Sequence, residues 1–207
     1  MPNGVVGQDA NDYRVVVFGS AGVGKSSIVQ QFVEGTYREG YVPTIEDTYR
    51  KVISSNKSVC TLQVTDTTGS HQFPAMQKLS IQKGHAFVLI YAVNNKQSLS
   101  DLKPIYDEIV DLKGGKAMVP VVLVGNKVDC PDREVLEAEG HRIAGQWDCG
   151  YLEASAKTKY NVQDVFEQLL LLEKRREMSL ATSSAKGKGK SKAARRADGI
   201  KNKCSLM

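Results

Sequence analysis

The chain has 207 residues, 41% hydrophobic and 25% charged, a composition that suits one globular domain followed by a tail. Its net charge of +5 is unevenly placed: residues 181–203 hold Lys186, Lys188, Lys190, Lys192, Arg195, Arg196, Lys201 and Lys203 against Asp198, so that segment carries +7 and the remainder −2. The body is nearly neutral, and the basic tail is the part that would meet a polyanion, either nucleic acid or an anionic membrane.

Taken in order, residues 1–11 read as a loose arm and 13–18 as an apolar strand. A helix is predicted over 25–34, where Ile28, Val29, Phe32 and Val33 recur at helical spacing. Gly35–Asp47 is polar and irregular, with Pro43 breaking any helix. Thr48–Ser54 and Val59–Thr65 alternate and pair around Ser55-Asn56-Lys57. Thr67–Ser80 follows as a loop and weak helix, then Ala86–Val93 as a strand buried on both faces. Ser98–Leu112 fits a helix whose Leu99, Leu102, Ile105, Ile109 and Leu112 share a face. Val119–Val124 is another buried strand, Arg133–Trp147 an amphipathic segment, Tyr151–Ala154 a short strand and Asn161–Met178 the last helix. Strands alternating with helices argue for a doubly wound α/β sheet, which binds ligands at the carboxyl ends of its strands.

Three motifs fall at those ends. Gly19-Ser20-Ala21-Gly22-Val23-Gly24-Lys25-Ser26 fits the phosphate-binding P-loop G-x-x-x-x-G-K-[ST]. Its glycines let backbone N–H groups converge on a phosphate, Lys25 reaches the β- and γ-phosphates, the Ser26 hydroxyl can ligate Mg²⁺, and Ser27 continues into the helix whose positive end faces the anion. Asp66-Thr67-Thr68-Gly69 ends a strand where a carboxylate would sit near Mg²⁺ through water, and Gly69 can donate an N–H to a γ-phosphate. Asn126-Lys127-x-Asp129 selects the base. A carboxylate accepts from guanine N1–H and the exocyclic amine, whereas adenine offers no such donor pair and would leave Asp129 unpaired at roughly 1–3 kcal/mol. Lys127 would lie along the base and Asn126 brace the loop. Ser155-Ala156-Lys157 can complete the pocket, with the Ala156 N–H aimed at guanine O6. Thr44 can reach Mg²⁺ if its loop folds in, and Tyr37 could stack on the base edge.

These motifs resemble those of the Ras-superfamily small GTPases, Ras branch, over about residues 12–178 and the C-terminal four. Asp66-Thr-Thr-Gly-Ser-His-Gln-Phe-Pro-Ala-Met-Gln77 is similar to the Di-Ras subgroup. The resemblance implies the P-loop small-GTPase (G-domain) fold, a six-stranded, mostly parallel sheet with one antiparallel edge strand and helices on both faces. It implies GTP and GDP binding with Mg²⁺, and switch regions near 37–47 and 67–80. It also implies effectors that dock on Tyr41-Val42-Pro43-Thr44-Ile45-Glu46-Asp47-Thr48-Tyr49 in the GTP state, with exchange factors and GTPase-activating proteins as regulators. Two departures bear on catalysis. Ser70 stands where Ras proteins carry the Gln that orients the attacking water, and Ala21 stands where they carry Gly, its methyl crowding the γ-phosphate and the route of an arginine finger. Rap proteins also lack the Gln and use activators that supply an Asn. Thr44, Gly69 and Ser70 are thus the catalytic candidates, with slow hydrolysis expected.

The four cysteines, Cys60, Cys130, Cys149 and Cys204, have no paired spacing, which argues for a reducing, intracellular compartment with no disulfide frame or zinc site. Residues 1–12 lack the apolar core of a secretory signal, no apolar run reaches membrane-spanning length, and Pro2 replaces the glycine that N-myristoylation requires. Cys204-Ser-Leu-Met207 fits a C-a-a-X box, and Met at X points to farnesylation of Cys204. One lipid chain holds a membrane only marginally, and the basic run would supply the second signal at ~1 kcal/mol per residue. A nucleic-acid role would use the same lysines but would not need Cys204. The expected organisation is a flexible arm (1–11), a monomeric GTP-binding domain (12–180) and a disordered polybasic tail (181–207) on the cytoplasmic face of the plasma membrane, with no nucleic-acid partner. A GTP-loaded scaffold with negligible turnover is the first rival reading, and a P-loop ATPase or nucleotide kinase the second.

Overall fold

The computed structural model describes residues 12–40, 43–55, 58–69, 73–115 and 118–197. The chain runs β1 (Asp12–Phe18), α1 (Lys25–Glu34), β2 (Glu46–Ser55), β3 (Ser58–Thr67), α2 (Pro74–Lys83), β4 (Ala86–Ala92), α3 (Lys96–Ser100), α4 (Leu102–Lys113), β5 (Val121–Asn126), α5 (Glu137–Trp147), β6 (Gly150–Glu153) and α6 (Val162–Ala197). The sheet has six strands in the order β2-β3-β1-β4-β5-β6. All neighbours are parallel except β2 and β3, so the expected antiparallel edge strand is β2. β1 lies between β3 and β4, so the chain leaves it first toward one edge and later toward the other. Such a reversal opens a crevice at the carboxyl ends of the strands, and the loop after β1 sits in it.

Two apolar layers hold this arrangement. Successive β1 side chains alternate, with Val15 and Val17 in one layer and Val16 and Phe18 in the other. The first layer is closed by α1 and α6, where Phe32 stacks on Phe166 with ring centroids 3.8 Å apart. The second is closed by α4 and α5, where Tyr106 stacks on Trp147 at 4.5 Å. Every residue of β4 and β5 is buried, as their unbroken apolar character predicts for central strands covered on both sides.

Several strand and helix ends differ from the sequence reading by one to four residues, and three helices differ in a way that has a local cause. The helix predicted over Ser98–Leu112 is two helices that meet at Asp101. Pro104 has no N–H to give the Ser100 carbonyl, and its ring crowds that carbonyl, so the ladder breaks there. The weak helix read within Thr67–Ser80 is α2, which starts with Pro74 at its first position and continues to Lys83. The last helix, expected to end at Met178, continues to Ala197. Extending an existing helix requires no new nucleus, and its Ala, Lys and Arg favour it while Gly187 and Gly189 each oppose it by about 1 kcal/mol.

Candidate functional site: the cleft at the strand ends

α1 begins at Gly24, whose φ of +94° suits glycine, and no side chain caps the helix. Its first N–H groups are left for a ligand in the cleft. A Cβ on Gly24 would lie 2.4 Å from Asn126 Nδ2, so the loop also needs glycine there to close on β5. Val23 places its side chain in the core and contributes its carbonyl, which accepts from Asn126 Nδ2 at 2.8 Å. Lys25 is 6% exposed and donates from Nζ to the carbonyls of Gly19 (2.8 Å) and Ser20 (2.9 Å). Burial lowers its pKa to about 8, partly offset by the Asp66 charge.

The hydroxyls of Ser26 and Thr44 lie 3.0 Å apart, although 18 residues separate them. The loop carrying Thr44 is therefore folded in. Adjacent ligands of an octahedral ion at ~2.1 Å stand ~3 Å apart, so the pair has the spacing Mg²⁺ requires. Asp66 is fully buried, and neither carboxylate oxygen has a hydrogen-bond partner at ordinary geometry. Burial raises its pKa, the nearby Ser26 hydroxyl and Lys25 charge lower it, and Asp47 raises it again. Asp47 stands directly opposite Asp66 across the β2–β3 pair. A buried, unpartnered carboxylate beside another acid and two converging hydroxyls fits a hard cation.

Two adjoining cavities form the cleft. The phosphate end, about 230 Å³, is lined by Ala21, Gly22, Lys25, Ser26, Thr44 and Gly69 among others. The base end, about 240 Å³, is lined by Asn94, Asn126, Asp129, Cys130, Ala156 and Lys157 among others. Gly24, Ser27, Tyr37 and Lys127 line both, which places Tyr37 where a base edge would lie. Ser155 is fully buried and donates from Oγ to Asp129 Oδ1 at 2.6 Å, fixing the carboxylate. Lys127 takes a left-handed backbone (φ +70°) to turn out of β5. Lys157 pairs with Glu39 at 3.3 Å, joining the base loop to the segment before Thr44.

The Ala156 N–H, expected to face guanine O6, lines the base cavity. There it donates to Asn126 Oδ1 at 3.2 Å. Asn126 is only 1% exposed, so both ends of its amide must find protein partners. It clamps the phosphate loop to the loop after β6 with one end on each.

Gly69 packs directly on the phosphate loop: a Cβ there would lie 2.5 Å from Ala21 N and Cα and 2.8 Å from Lys25 Nζ. Ala21 itself is exposed in the cleft. Of the segment expected to bind effectors, Pro43, Ile45, Glu46, Asp47 and Thr48 lie on the surface, with Ile45 73% exposed and Tyr49 half-buried. Tyr41, Val42, Ser70 and Cys204 lie outside the described residues. Arg38, Gly40, Thr67, Asn94 and Cys130 also line the cleft and were missed. For Asn94 the position after a buried strand was the available signal; for Arg38 and Gly40 it was their place in the switch region near 37–47.

A phosphate loop at the reversal point of a doubly wound sheet, joined to a base pocket read by a fixed carboxylate, defines a guanine-nucleotide-binding P-loop protein. The Ras family profile matches residues 14–174. The chain is 60% identical over 200 residues to the mouse GTP-binding protein Di-Ras1, covering 97% of this chain and 99% of that one. It is 56% identical over 201 residues to GTP-binding protein Di-Ras2 of Pongo abelii, with the same coverage. It is also 56% identical over 200 residues to the Caenorhabditis elegans GTP-binding protein drn-1, covering 95% and 87%. The chain belongs to the Ras family of small GTPases, and the Di-Ras likeness read from residues 66–77 is borne out.

Proposed function

We propose that this protein is a lipid-anchored, Mg²⁺-dependent GTP/GDP switch with slow intrinsic hydrolysis that rests largely with GTP bound. The observation that carries the switch reading is the contact between Ser26 and Thr44 beside the unpartnered Asp66. It supports a loop whose position depends on what lies between these groups, as switching by a terminal phosphate requires. Ser26, Thr44 and, through water, Asp66 would hold Mg²⁺, which when bound neutralises charge on the β- and γ-phosphate oxygens. Lys25 adds a fixed positive charge, and the Gly69 N–H is a candidate donor to the terminal phosphate. Asp129 selects guanine, braced by Ser155, while Tyr37 and Lys127 flank the base. Effectors would dock on residues 41–49, with exchange factors and GTPase-activating proteins setting the nucleotide. Cys204 and the basic run would hold the chain on the cytoplasmic face of the plasma membrane.

Slow turnover follows from the chemistry of phosphoryl transfer, which needs an aligned water and charge compensation. Ser70 is too short to align water as Gln does, and Ala21 adds a methyl where an arginine would close. The Ala21–Gly69 packing supports the second point, because the phosphate loop and the start of the second switch already meet there. The test is phosphate release from preloaded GTP for the parent, Ala21→Gly, Ser70→Gln and the double variant, each with and without a Ras-type activator. We expect a slow parent that the activator barely accelerates. An arginine finger supplies roughly 10³–10⁵ in rate, so the double variant should regain most of the acceleration and Ser70→Gln alone little. Fast intrinsic hydrolysis by the parent would refute slow turnover. The same crowding at Ala21 favours, as a second reading, a GTP-loaded scaffold with negligible turnover. A parent that stays fully GTP-loaded through that assay would establish it.

A further inference from the structure

We propose that Asp101, at the break between α3 and α4, is a positioning residue for nucleotide binding that acts through Ser20. This rests on the guanine-nucleotide reading of the cleft. The Ser20 hydroxyl donates to Asp101 Oδ2 at 2.7 Å across 81 residues of sequence, and Gln97 Nε2 donates to Oδ1 at 2.7 Å. The Asp101 backbone N–H is itself bonded to the Gln97 carbonyl at 2.9 Å. The carboxylate is thereby fixed on a residue whose backbone is helical, at the junction of α3 and α4.

Ser20 is the junction in the phosphate loop. Its side chain is held by Asp101, its carbonyl receives Lys25 Nζ, and the residue that follows, Ala21, packs on Gly69. Glycine-rich loops lose much conformational freedom when they order. A loop fixed from outside has lost that freedom before the ligand arrives, so less binding energy is spent on ordering it. A hydrogen bond to a carboxylate is a strong way to do this. Asp101 reaches the phosphate loop through the Ser20 hydroxyl. Its effect is therefore on where the Ser20 carbonyl holds the ammonium, and so on the β- and γ-phosphates that Lys25 meets.

The experiment measures release of a fluorescent GDP and of a fluorescent non-hydrolysable GTP analogue from the full chain with Mg²⁺. The proteins compared are the parent, Ser20→Ala, Asp101→Ala, the double alanine variant and Asp101→Asn. We expect each single alanine change to speed release about tenfold, as loss of one charge-assisted hydrogen bond would. The double variant should be no faster than either, because both remove the same bond. Release of the triphosphate analogue should accelerate more than release of GDP, which a general loosening of the fold would not produce. Asp101→Asn should stay within about twofold of the parent, since its amide oxygen can still accept from Ser20 while Gln97 flips to accept from its NH₂. Multiplying single effects, equal acceleration of both nucleotides, or an Asp101→Asn as fast as Asp101→Ala would overturn the proposal. A parent that retains no guanine nucleotide at all would instead overturn the reading of the cleft on which it rests.

Discussion

At Asp129 the choice of base comes down to which atoms donate. The Ser155 hydroxyl fixes one carboxylate oxygen, so the acceptor edge keeps one orientation toward the base cavity. Asp129→Asn leaves the oxygen that Ser155 bonds and turns the other into a donor. That suits xanthine, which presents a carbonyl where guanine presents its amine. The variant should lose ~3 kcal/mol of GTP binding, over a hundredfold in affinity, and gain binding of XTP. Competition of the two nucleotides on the purified variant reads this out; unchanged GTP preference would mean that Asp129 does not read the base. The carboxylate motif was legible in the sequence because its four residues are contiguous. The hold of Ser155 on it was legible only as a loop in the right place, and the bond from the Ala156 N–H to Asn126 was not legible at all. Nothing local to Ser155-Ala156-Lys157 reveals that a buried asparagine 30 residues earlier needs that N–H.

Among the elements, β1 and β4 are joined below the cleft by His85. The Arg14 backbone N–H donates to His85 Nδ1 at 3.1 Å, a bond that a protonated ring cannot accept. Burial lowers the pKa of His85 below its ordinary value. The charges of Arg14, Lys113 and Arg176 lower it further, and only Glu173 opposes them. The unfolded chain therefore takes up a proton near pH 6.5, while the folded chain does so only at lower pH. The stabilisation is complete above pH 6.5 and is lost as pH falls from there through the folded value. His85→Asn keeps an acceptor at the same distance along the side chain but cannot titrate. Denaturant midpoints measured from pH 7.5 to 5 should fall less steeply for this variant than for the parent; parallel curves would remove His85 from the account. Most elements were legible from periodicity, because period two in β3 and near-total apolarity in β4 and β5 are local patterns. The break at Asp101 needed the position of Pro104 to be weighed against an otherwise clean helical stripe.

For the whole molecule, the order β2-β3-β1-β4-β5-β6 brings three loops from distant parts of the chain to one rim. The basic run from Lys186 onward lies at the far end of the sequence, with α6 continuing to Ala197 and Cys204 outside the described residues. Cys204→Ser should move the protein from the membrane to the supernatant on cell fractionation. Replacing the lysines and arginines from Lys186 to Arg196 with the lipid intact should weaken binding to anionic vesicles, and the parent's binding should fall as salt rises. Full membrane recovery of Cys204→Ser would point to another anchor.

The nucleotide motifs and the alternation of strands and helices could be read from the amino-acid order alone. Each is carried by contiguous residues whose backbone needs or spacing are local. Only the tertiary structure decided which groups meet: Ser26 with Thr44, Asn126 with Val23 and Ala156, Gly69 with Ala21, and Ser20 with Asp101. These partners lie 18 to 103 residues apart wherever a hydrogen bond joins them. Periodicity describes which face of an element is apolar, whereas a buried polar group takes whatever partner the packed sheet delivers, and that is fixed only when the layers close.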